Sequence, residues 1–164
     1  MAIRNAAKAI VLHNDKILLN RGCNTFKDGL FGLPLGTMIY DLPGGGQNQF
    51  ESLEETVRRE CLEETGYAVT VDRLGAIFEE ISVCEEYRLK YKNYAHKVHF
   101  VFVCSLSGEE ALPPTEKDLA MDESLWVDIE KLDEIILLPA AIHANLLRIL
   151  RNDSIIYLGS GLVP

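Results

Sequence analysis

The order of hydrophobic and polar residues along the chain predicts both strands and helices. Two apolar runs, 6–13 and 16–20, flank the pair Asn14-Asp15, which is typical of a tight turn, so they predict two strands joined as a hairpin. A glycine-rich, loop-like stretch follows at 21–36. Further strands are predicted at 37–42, 69–83, 97–106 and 124–128, and helices at 52–65 and 139–151.

Strands and helices that alternate in this order predict an α/β fold with a mixed β-sheet. The chain contains no internal repeat, low-complexity tract or Pro/Gly-rich linker that would divide it. We therefore expect one domain over residues 1–164, and we expect its apolar N-terminal stretch to be the first strand rather than a signal peptide.

The helix at 52–65 has the clearest boundaries. Ser52 and Glu55 are spaced as a capping box, so the helix should begin near Leu53. Gly66 supplies the left-handed residue at which helices commonly end. At about 100° per residue, Val57 and Cys61 fall beside Leu53 and form an apolar stripe that should face the core.

Three carboxylates lie unusually close to this stripe. Glu60 and Glu64 fall on the same side of the helix as the apolar stripe, and Glu63 falls next to it. Burying an ionised carboxylate without a partner is costly, so three that converge at the edge of the core need a cation, and Mg²⁺ prefers oxygen ligands. A solvated or arginine-paired helix surface is the alternative interpretation, and helical geometry alone leaves both open.

Three consecutive glycines, Gly44, Gly45 and Gly46, precede this helix and allow close approach of the backbone to a ligand. Most such runs are simply turns. Here the position just before a carboxylate-bearing helix would let a main-chain carbonyl join a metal site.

The amino-acid composition and charge of the chain limit the kinds of molecule that it is expected to bind. Hydrophobic residues make up 48% of the chain and charged residues 25%, as in ordinary globular proteins. The net charge of −9 disfavours non-specific nucleic-acid binding, and no apolar run approaches the roughly 20 residues that span a bilayer. The four cysteines form no CxxC pair, which favours reduced thiols in a cytoplasmic protein over a zinc site.

The segment PGGGQNQFESLEETVRRECLEETGY resembles the Nudix box, G-x5-E-x7-R-E-U-x-E-E-x-G-U, where U is a bulky aliphatic residue. All seven fixed positions match, and they are Gly45, Glu51, Arg59, Glu60, Glu63, Glu64 and Gly66. Cys61 and Tyr67 depart from the pattern at the two U positions; Cys61 is expected to fill the core and Tyr67 to repack locally. The resemblance implies a Nudix-type α/β/α sandwich with a mixed sheet.

The resemblance also implies roles for individual residues. Glu60 and Glu64 look like principal ligands of Mg²⁺, with Mn²⁺ as an alternative metal, and Glu63 like a ligand directly or through water. The Gly44 carbonyl resembles the one that often completes the metal site. Glu51 and Arg59 resemble the family's internal ion pair, which would orient Glu60.

The resemblance implies attack of water on a phosphorus atom of a diphosphate, and a carboxylate could accept the proton of that water. Glu64 and Glu63 are candidates for this base. The acidic segment before Trp126 offers Glu116, Asp122 and Glu123, of which Glu123 is favoured because an acidic residue shortly before such a strand recurs in the family. A solvated loop acid is the alternative interpretation for each of these three.

The expected function is Mg²⁺-dependent hydrolysis of a nucleoside-diphosphate-linked substrate (NDP-X) or a nucleoside triphosphate. The additional signatures of several Nudix subfamilies are absent, so the substrate is not identified. A non-catalytic nucleotide-binding or regulatory module is the alternative function. The expected partner is a small phosphorylated molecule, with no DNA or membrane partner, and the apolar tail at 154–164 suggests an added strand or a homodimer contact.

Overall fold

The computed structural model describes residues 3–25, 32–108, 110–115 and 121–163. Within them the chain forms eight strands and three α-helices, and a 3₁₀ helix at Ile129–Glu134. The elements, in chain order, are β1 Arg4–His13, β2 Lys16–Cys23, β3 Met38–Asp41, α1 Leu53–Thr65, β4 Val69–Ser82, α2 Glu85–Lys90, β5 His96–Leu106, β6 Met121–Asp128, β7 Leu137–Leu138, α3 Ala140–Arg151 and β8 Ile156–Val163.

The predicted hairpin at the start of the chain is present. Strands β1 and β2 are antiparallel, and Asn14 (φ 50°) and Asp15 (φ 59°) both take the left-handed backbone that a two-residue hairpin turn requires. Asparagine and aspartate tolerate this conformation better than other non-glycine residues, which explains the position of the turn.

One mixed sheet runs through the molecule in the order β7-β3-β2-β1-β5-β4-β8, and β6 also pairs with β2. Strand β1 lies at its centre, parallel to β5 and antiparallel to β2. Because β1 is covered on both faces, its sequence is a nearly continuous apolar run.

A hydrophobic core fills each face of the sheet. Val57 and Cys61 of α1 pack on one face against apolar residues of β1 and β5. Ile142, Leu146 and Ile149 of α3 pack on the other face. This confirms the predicted arrangement, in which a mixed sheet lies between helices.

Several element boundaries differ from the sequence prediction. The charged segment between β4 and β5 contains the short helix α2, and β6 begins at Met121 rather than at Ser124. The apolar tail forms strand β8, parallel to β4. In the described part of the chain, no helix is long and apolar enough to cross a membrane.

Candidate active site

Helix α1 is fixed at both ends by the residues predicted to cap it. The Ser52 side chain accepts a hydrogen bond from the Glu55 backbone N–H, and the Glu55 side chain accepts one from the Ser52 backbone N–H. At the other end Gly66 takes a left-handed conformation (φ 75°) and its N–H donates to the Leu62 carbonyl. These caps set the register of every carboxylate on the helix.

Packing of α1 determines which way the carboxylates point. Val57 and Cys61 are fully buried, as the helical pattern predicts. Cys61 fills the core, and Tyr67 packs edge-on against Trp126, whose indole N–H donates to the Tyr67 hydroxyl at 3.1 Å. The two departures from the Nudix pattern are thus accommodated by local packing.

Arg59 connects the loop before α1 to the carboxylates on it. Its guanidinium binds both oxygens of Glu51, at 2.7 and 3.0 Å, so the predicted ion pair is present. Nη1 donates to one oxygen of Glu60 (2.8 Å) and one of Glu63 (2.9 Å), and Nη2 donates to the Gly46 carbonyl (3.2 Å). Arg59 therefore sets the positions of two predicted metal ligands.

The ion pair shifts the acidity of both partners. The hydrogen bonds from Arg59 lower the pKa of Glu51 to about 2, against the opposing effect of burial. The same contact with Glu51 raises the pKa of Arg59 above its usual value. Both groups therefore stay charged across the pH range in which an enzyme works.

The glycine loop lies too close to its neighbours to carry side chains. Gly44 has φ 130°, and a Cβ atom there would lie 2.1 Å from the Ala7 carbonyl oxygen. A Cβ on Gly45 would lie 2.4 Å from Oε2 of Glu60. The absence of side chains at these two positions lets the loop lie against β1 and against the carboxylate of Glu60.

Glu64 is the most enclosed of the three carboxylates. Its Oε2 accepts hydrogen bonds from the Gly44 backbone N–H (2.9 Å) and from the Asn20 side-chain amide (2.8 Å). Burial raises the pKa of Glu64 to about 7, although the charge of nearby Lys8 acts in the opposite direction. A bound cation would favour the ionised form of this carboxylate.

Asn20 and Ser124 also surround Glu64, which the sequence pattern did not predict. Ser124 donates to Oδ1 of Asn20 (2.7 Å) and to the Glu64 carbonyl (3.2 Å), and the two residues face each other across β2 and β6. The one sequence signal for Asn20 was its polar side chain directly after the apolar run 17–19. Its partner could not be inferred without the strand pairing.

The chemistry of these donors fits a divalent metal. Three carboxylates (Glu51, Glu60 and Glu63) share the single guanidinium of Arg59, so negative charge is in excess there, and Glu64 follows Glu63 on the same helix. Carboxylate oxygens are the ligands that Mg²⁺ prefers. Arg59 holds one oxygen each of Glu60 and Glu63, and across the described ranges no three His, Cys, Asp or Glu side chains converge in a way that could enclose an ion.

Glu123, the base favoured among the acidic residues before Trp126, lies apart from these carboxylates. Ser124 contacts Glu64, and since successive strand residues point to opposite faces, Glu123 points to the other face of β6. Glu123 forms an ion pair with Arg21, its partner across the strands. Asp122 is exposed, and Glu116 lies outside the described residues.

Comparison with known proteins supports the resemblance. The sequence model of the NUDIX domain family matches residues 3–151. No curated protein sequence matches the chain at a significant level.

Solved structures with this fold include an ADP-ribose pyrophosphatase from Streptococcus suis 89-1591, with 23% identity, 95% of this chain and 99% of that chain covered, and a TM-score of 0.61. A MutT protein from Methanosarcina mazei Go1 shows 24% identity, 91% and 94% coverage, and a TM-score of 0.59. A UDP-X diphosphatase shows 18% identity, 95% and 68% coverage, and a TM-score of 0.59. At these identities the likenesses establish the shared fold.

Proposed function

This chain belongs to the Nudix family and is a hydrolase of phosphoric anhydride bonds, and on that basis we propose that it is a Mg²⁺-dependent pyrophosphohydrolase acting on a nucleoside-diphosphate-linked or nucleoside triphosphate substrate. The observation that carries the proposal is the carboxylate group on α1. Glu60 and Glu63 share the guanidinium of Arg59 with Glu51, and Glu64 accepts a hydrogen bond from the Gly44 backbone, so the group carries more negative charge than Arg59 neutralises.

Glu60, Glu63 and Glu64 would hold the metal, together with the main-chain carbonyl of Gly44. Mg²⁺, or Mn²⁺ in its place, would supply positive charge to the phosphate oxygens and acidify a water molecule. Arg59 acts on this chemistry indirectly, because it orients Glu60 and Glu63 through hydrogen bonds from one nitrogen. It is a positioning residue in this proposal.

The proton of the attacking water would pass to a carboxylate. Glu64 and Glu63 belong to the α1 group, whereas Glu123 would first have to leave its ion pair with Arg21. Glutamine variants distinguish the three. Because Glu63 and Glu64 are also proposed metal ligands, the base is the residue whose replacement still removes turnover at saturating metal concentration.

Two of the solved structures suggest the substrate class. The names ADP-ribose pyrophosphatase and UDP-X diphosphatase both describe enzymes that act on a nucleoside diphosphate joined to a second group. An NDP-X substrate therefore comes first in the assays, before nucleoside triphosphates.

We also propose that residues 1–164 form one Nudix domain in a cytoplasmic protein that binds no DNA. The family match covers 3–151, and β8 beyond it hydrogen-bonds to β4 within the same sheet. The net charge of −9 disfavours a polyanionic partner.

The proposal is tested by measuring product release from a panel that contains ADP-ribose, UDP-sugars and nucleoside triphosphates. Each reaction is run with Mg²⁺, with Mn²⁺ and with EDTA, for the wild type and for Glu64→Gln. We expect turnover that needs the metal and falls at least about 100-fold in Glu64→Gln, since a metal ligand and candidate base is lost.

Glu54→Gln is the matched control. Glu54 lies on the same helix, is exposed and pairs with Arg58 at the surface, so its replacement should leave turnover unchanged. Binding of Mg²⁺ without turnover of any substrate in the panel would contradict the proposal and favour a non-catalytic nucleotide-binding module.

A further inference from the structure

Phe50 has an unusual conformation and an unusual environment. It lies in the loop between Gly45 and Glu51, at a position that the Nudix box leaves unspecified. Its backbone is left-handed (φ 68°), and its side chain is 97% exposed. Asn14 and Asp15 are the other described non-glycine residues with positive φ, and both belong to residue types that tolerate it.

Neither folding nor burial explains a phenylalanine at this position. A bulky side chain is unfavourable in left-handed backbone, where glycine has no such penalty. An exposed ring contributes nothing to the core. Strained residues that persist without a structural benefit are typical of functional sites, so Phe50 suggests a ligand.

Phe50 borders an open cleft of about 410 Å³. This volume falls within the range of small-molecule sites. The exposed amides of Asn48 and Gln49 lie in its wall and offer hydrogen-bond donors and acceptors.

The charged residues of the cleft already have partners. Glu51 binds Arg59 through both oxygens, Glu55 accepts from Ser52, and Arg58 pairs with Glu54 outside the cleft. A phosphate would therefore meet no unpaired cation among these groups. An uncharged planar group suits the cleft better, with the ring of Phe50 on one side and amides to bind its polar edge.

The cleft adjoins the carboxylate group on α1. Arg59 lines the cleft and also donates to Glu60 and Glu63. One guanidinium group thus separates the cleft from the predicted metal ligands. A substrate with its diphosphate at those ligands could extend an attached group into the cleft.

We propose that Phe50 stacks on the nucleobase of the substrate and that the cleft bordered by Asn48 and Gln49 is the base-binding site. This inference rests on the proposed function, and it assigns a substrate-binding role to a residue that the family pattern does not specify. Stacking depends on the aromatic face that every base shares, so Phe50 would contribute affinity for any base, while the amides would discriminate among bases.

Binding measurements with matched probes test the inference. Calorimetry with Ca²⁺ in place of Mg²⁺ compares ADP, GDP, CDP and UDP with inorganic pyrophosphate, which lacks a base. Phe50→Gly should weaken binding of all four nucleoside diphosphates about 5- to 20-fold and leave pyrophosphate within about twofold. Phe50→Trp should retain or strengthen nucleotide binding.

Thermal unfolding provides the second measurement. Phe50→Gly should raise the unfolding midpoint because it removes backbone strain, so weaker nucleotide binding could not be attributed to misfolding. Asp15→Gly is the matched control, since it relieves positive φ in the β1–β2 turn, remote from the cleft in the fold. It should not change nucleotide affinity.

Unchanged nucleotide affinity in Phe50→Gly would overturn the inference. Equal losses for nucleotides and pyrophosphate would also overturn it, and so would wild-type protein that binds ADP no better than pyrophosphate. Failure of the proposed function would look different, because turnover would then be absent with Mg²⁺ whatever residue occupies position 50.

Discussion

At the scale of single residues, Arg59 decides how the carboxylates of α1 are presented. It holds both oxygens of Glu51 and one oxygen each of Glu60 and Glu63, and it also binds the Gly46 carbonyl. One side chain therefore fixes both the loop and two predicted metal ligands. Its loss would leave three carboxylates without their shared donor.

We expect Arg59→Ala to lower kcat or metal affinity by about 10- to 100-fold, as replacement of residues that support metal ligands commonly does. Metal titration and steady-state kinetics of the same protein measure the two effects. Arg148→Ala is the control, because Arg148 is an exposed arginine of α3, on the other face of the sheet from α1. Equal effects of the two variants would rule out a positioning role for Arg59.

The sequence predicted the residues of this group but not all of their neighbours. The spacing within α1 brought Glu60, Glu63 and Glu64 to one side, because helix geometry depends only on local sequence. Asn20 and Ser124 lie 44 and 60 residues from Glu64 along the chain, so only the pairing of β2 with β6 brings them to it.

At the scale of elements, the end caps hold α1 in register. The Ser52 hydroxyl and the Glu55 carboxylate satisfy each other's backbone N–H groups, and Gly66 ends the helix. The lower pKa of Glu55 reflects hydrogen bonds from the backbone and side chain of Ser52.

Ser52→Ala should lower the free energy of unfolding by about 1 kcal/mol, the usual cost of removing an N-cap side chain. Urea unfolding measures the change. Ser154→Ala serves as control, since Ser154 is an exposed serine outside the helices and should change stability by less than about 0.5 kcal/mol. A cost no greater than the control would show that the cap does not stabilise the helix.

A buried ion pair links β4 to β5 on the face opposite α1. Glu80 lies 2.6 Å from Lys97, and His99 lies 3.7 Å away, too far for a hydrogen bond. Burial alone would raise the pKa of Glu80, but His99 and Lys97 hold it at about 2. Burial lowers the pKa of His99. Burial and, to a smaller extent, the charge of Glu80 raise the pKa of Tyr87 in α2.

Lys97→Met should destabilise the fold by about 3 kcal/mol near neutral pH, because it leaves a buried carboxylate without its cation. The ordinary pKa of glutamate is 4.5, so the wild-type pair stabilises the fold above that pH and loses its effect as pH falls towards 2. In the variant the pKa of Glu80 should rise, and protonation would then remove the penalty.

The difference in unfolding free energy between wild type and Lys97→Met should therefore shrink from pH 7 to pH 4. Urea unfolding at several pH values measures it. Lys16→Met removes an exposed pair with Asp128 and should cost under about 1 kcal/mol at every pH. A constant difference for Lys97→Met would show that lost packing, rather than charge, causes the destabilisation.

The pattern predicted most elements but missed the shortest ones. The helix at 53–65 and the hairpin of β1 and β2 have strong local signals in their caps and turn residues. Helix α2 is one short, charged turn in which no residue is buried, so no apolar periodicity marks it. The early start of β6 reflects its pairing with β2, which local sequence does not reveal.

At the scale of the whole molecule, β8 is an edge strand of the sheet. It pairs with β4 on one side, and no described strand pairs with its other edge. The strand contains no charged residue and no proline, the features that usually protect an edge, and its Tyr157 and Leu162 are 66% and 70% exposed. A second copy of the chain could pair there without placing charges opposite each other.

The homodimer thus stays a prediction, with β8 as its proposed contact. We expect sedimentation equilibrium to show dimer at micromolar concentration and Leu162→Lys to shift it towards monomer, since two copies would bring the new charges together. Leu112→Lys, at an exposed leucine outside the sheet, is the control. A wild-type protein that stays monomeric would remove the prediction.

The sequence by itself determined the family, the α/β class and the carboxylates on α1. Each depends on spacing along one segment, where the helix repeat and the caps fix geometry locally. Tertiary structure decided which residues surround Glu64, which face of the sheet Glu123 occupies, and that the apolar tail closes onto β4. These depend on strand pairing between distant segments, and a shift of one residue in register moves a side chain to the opposite face.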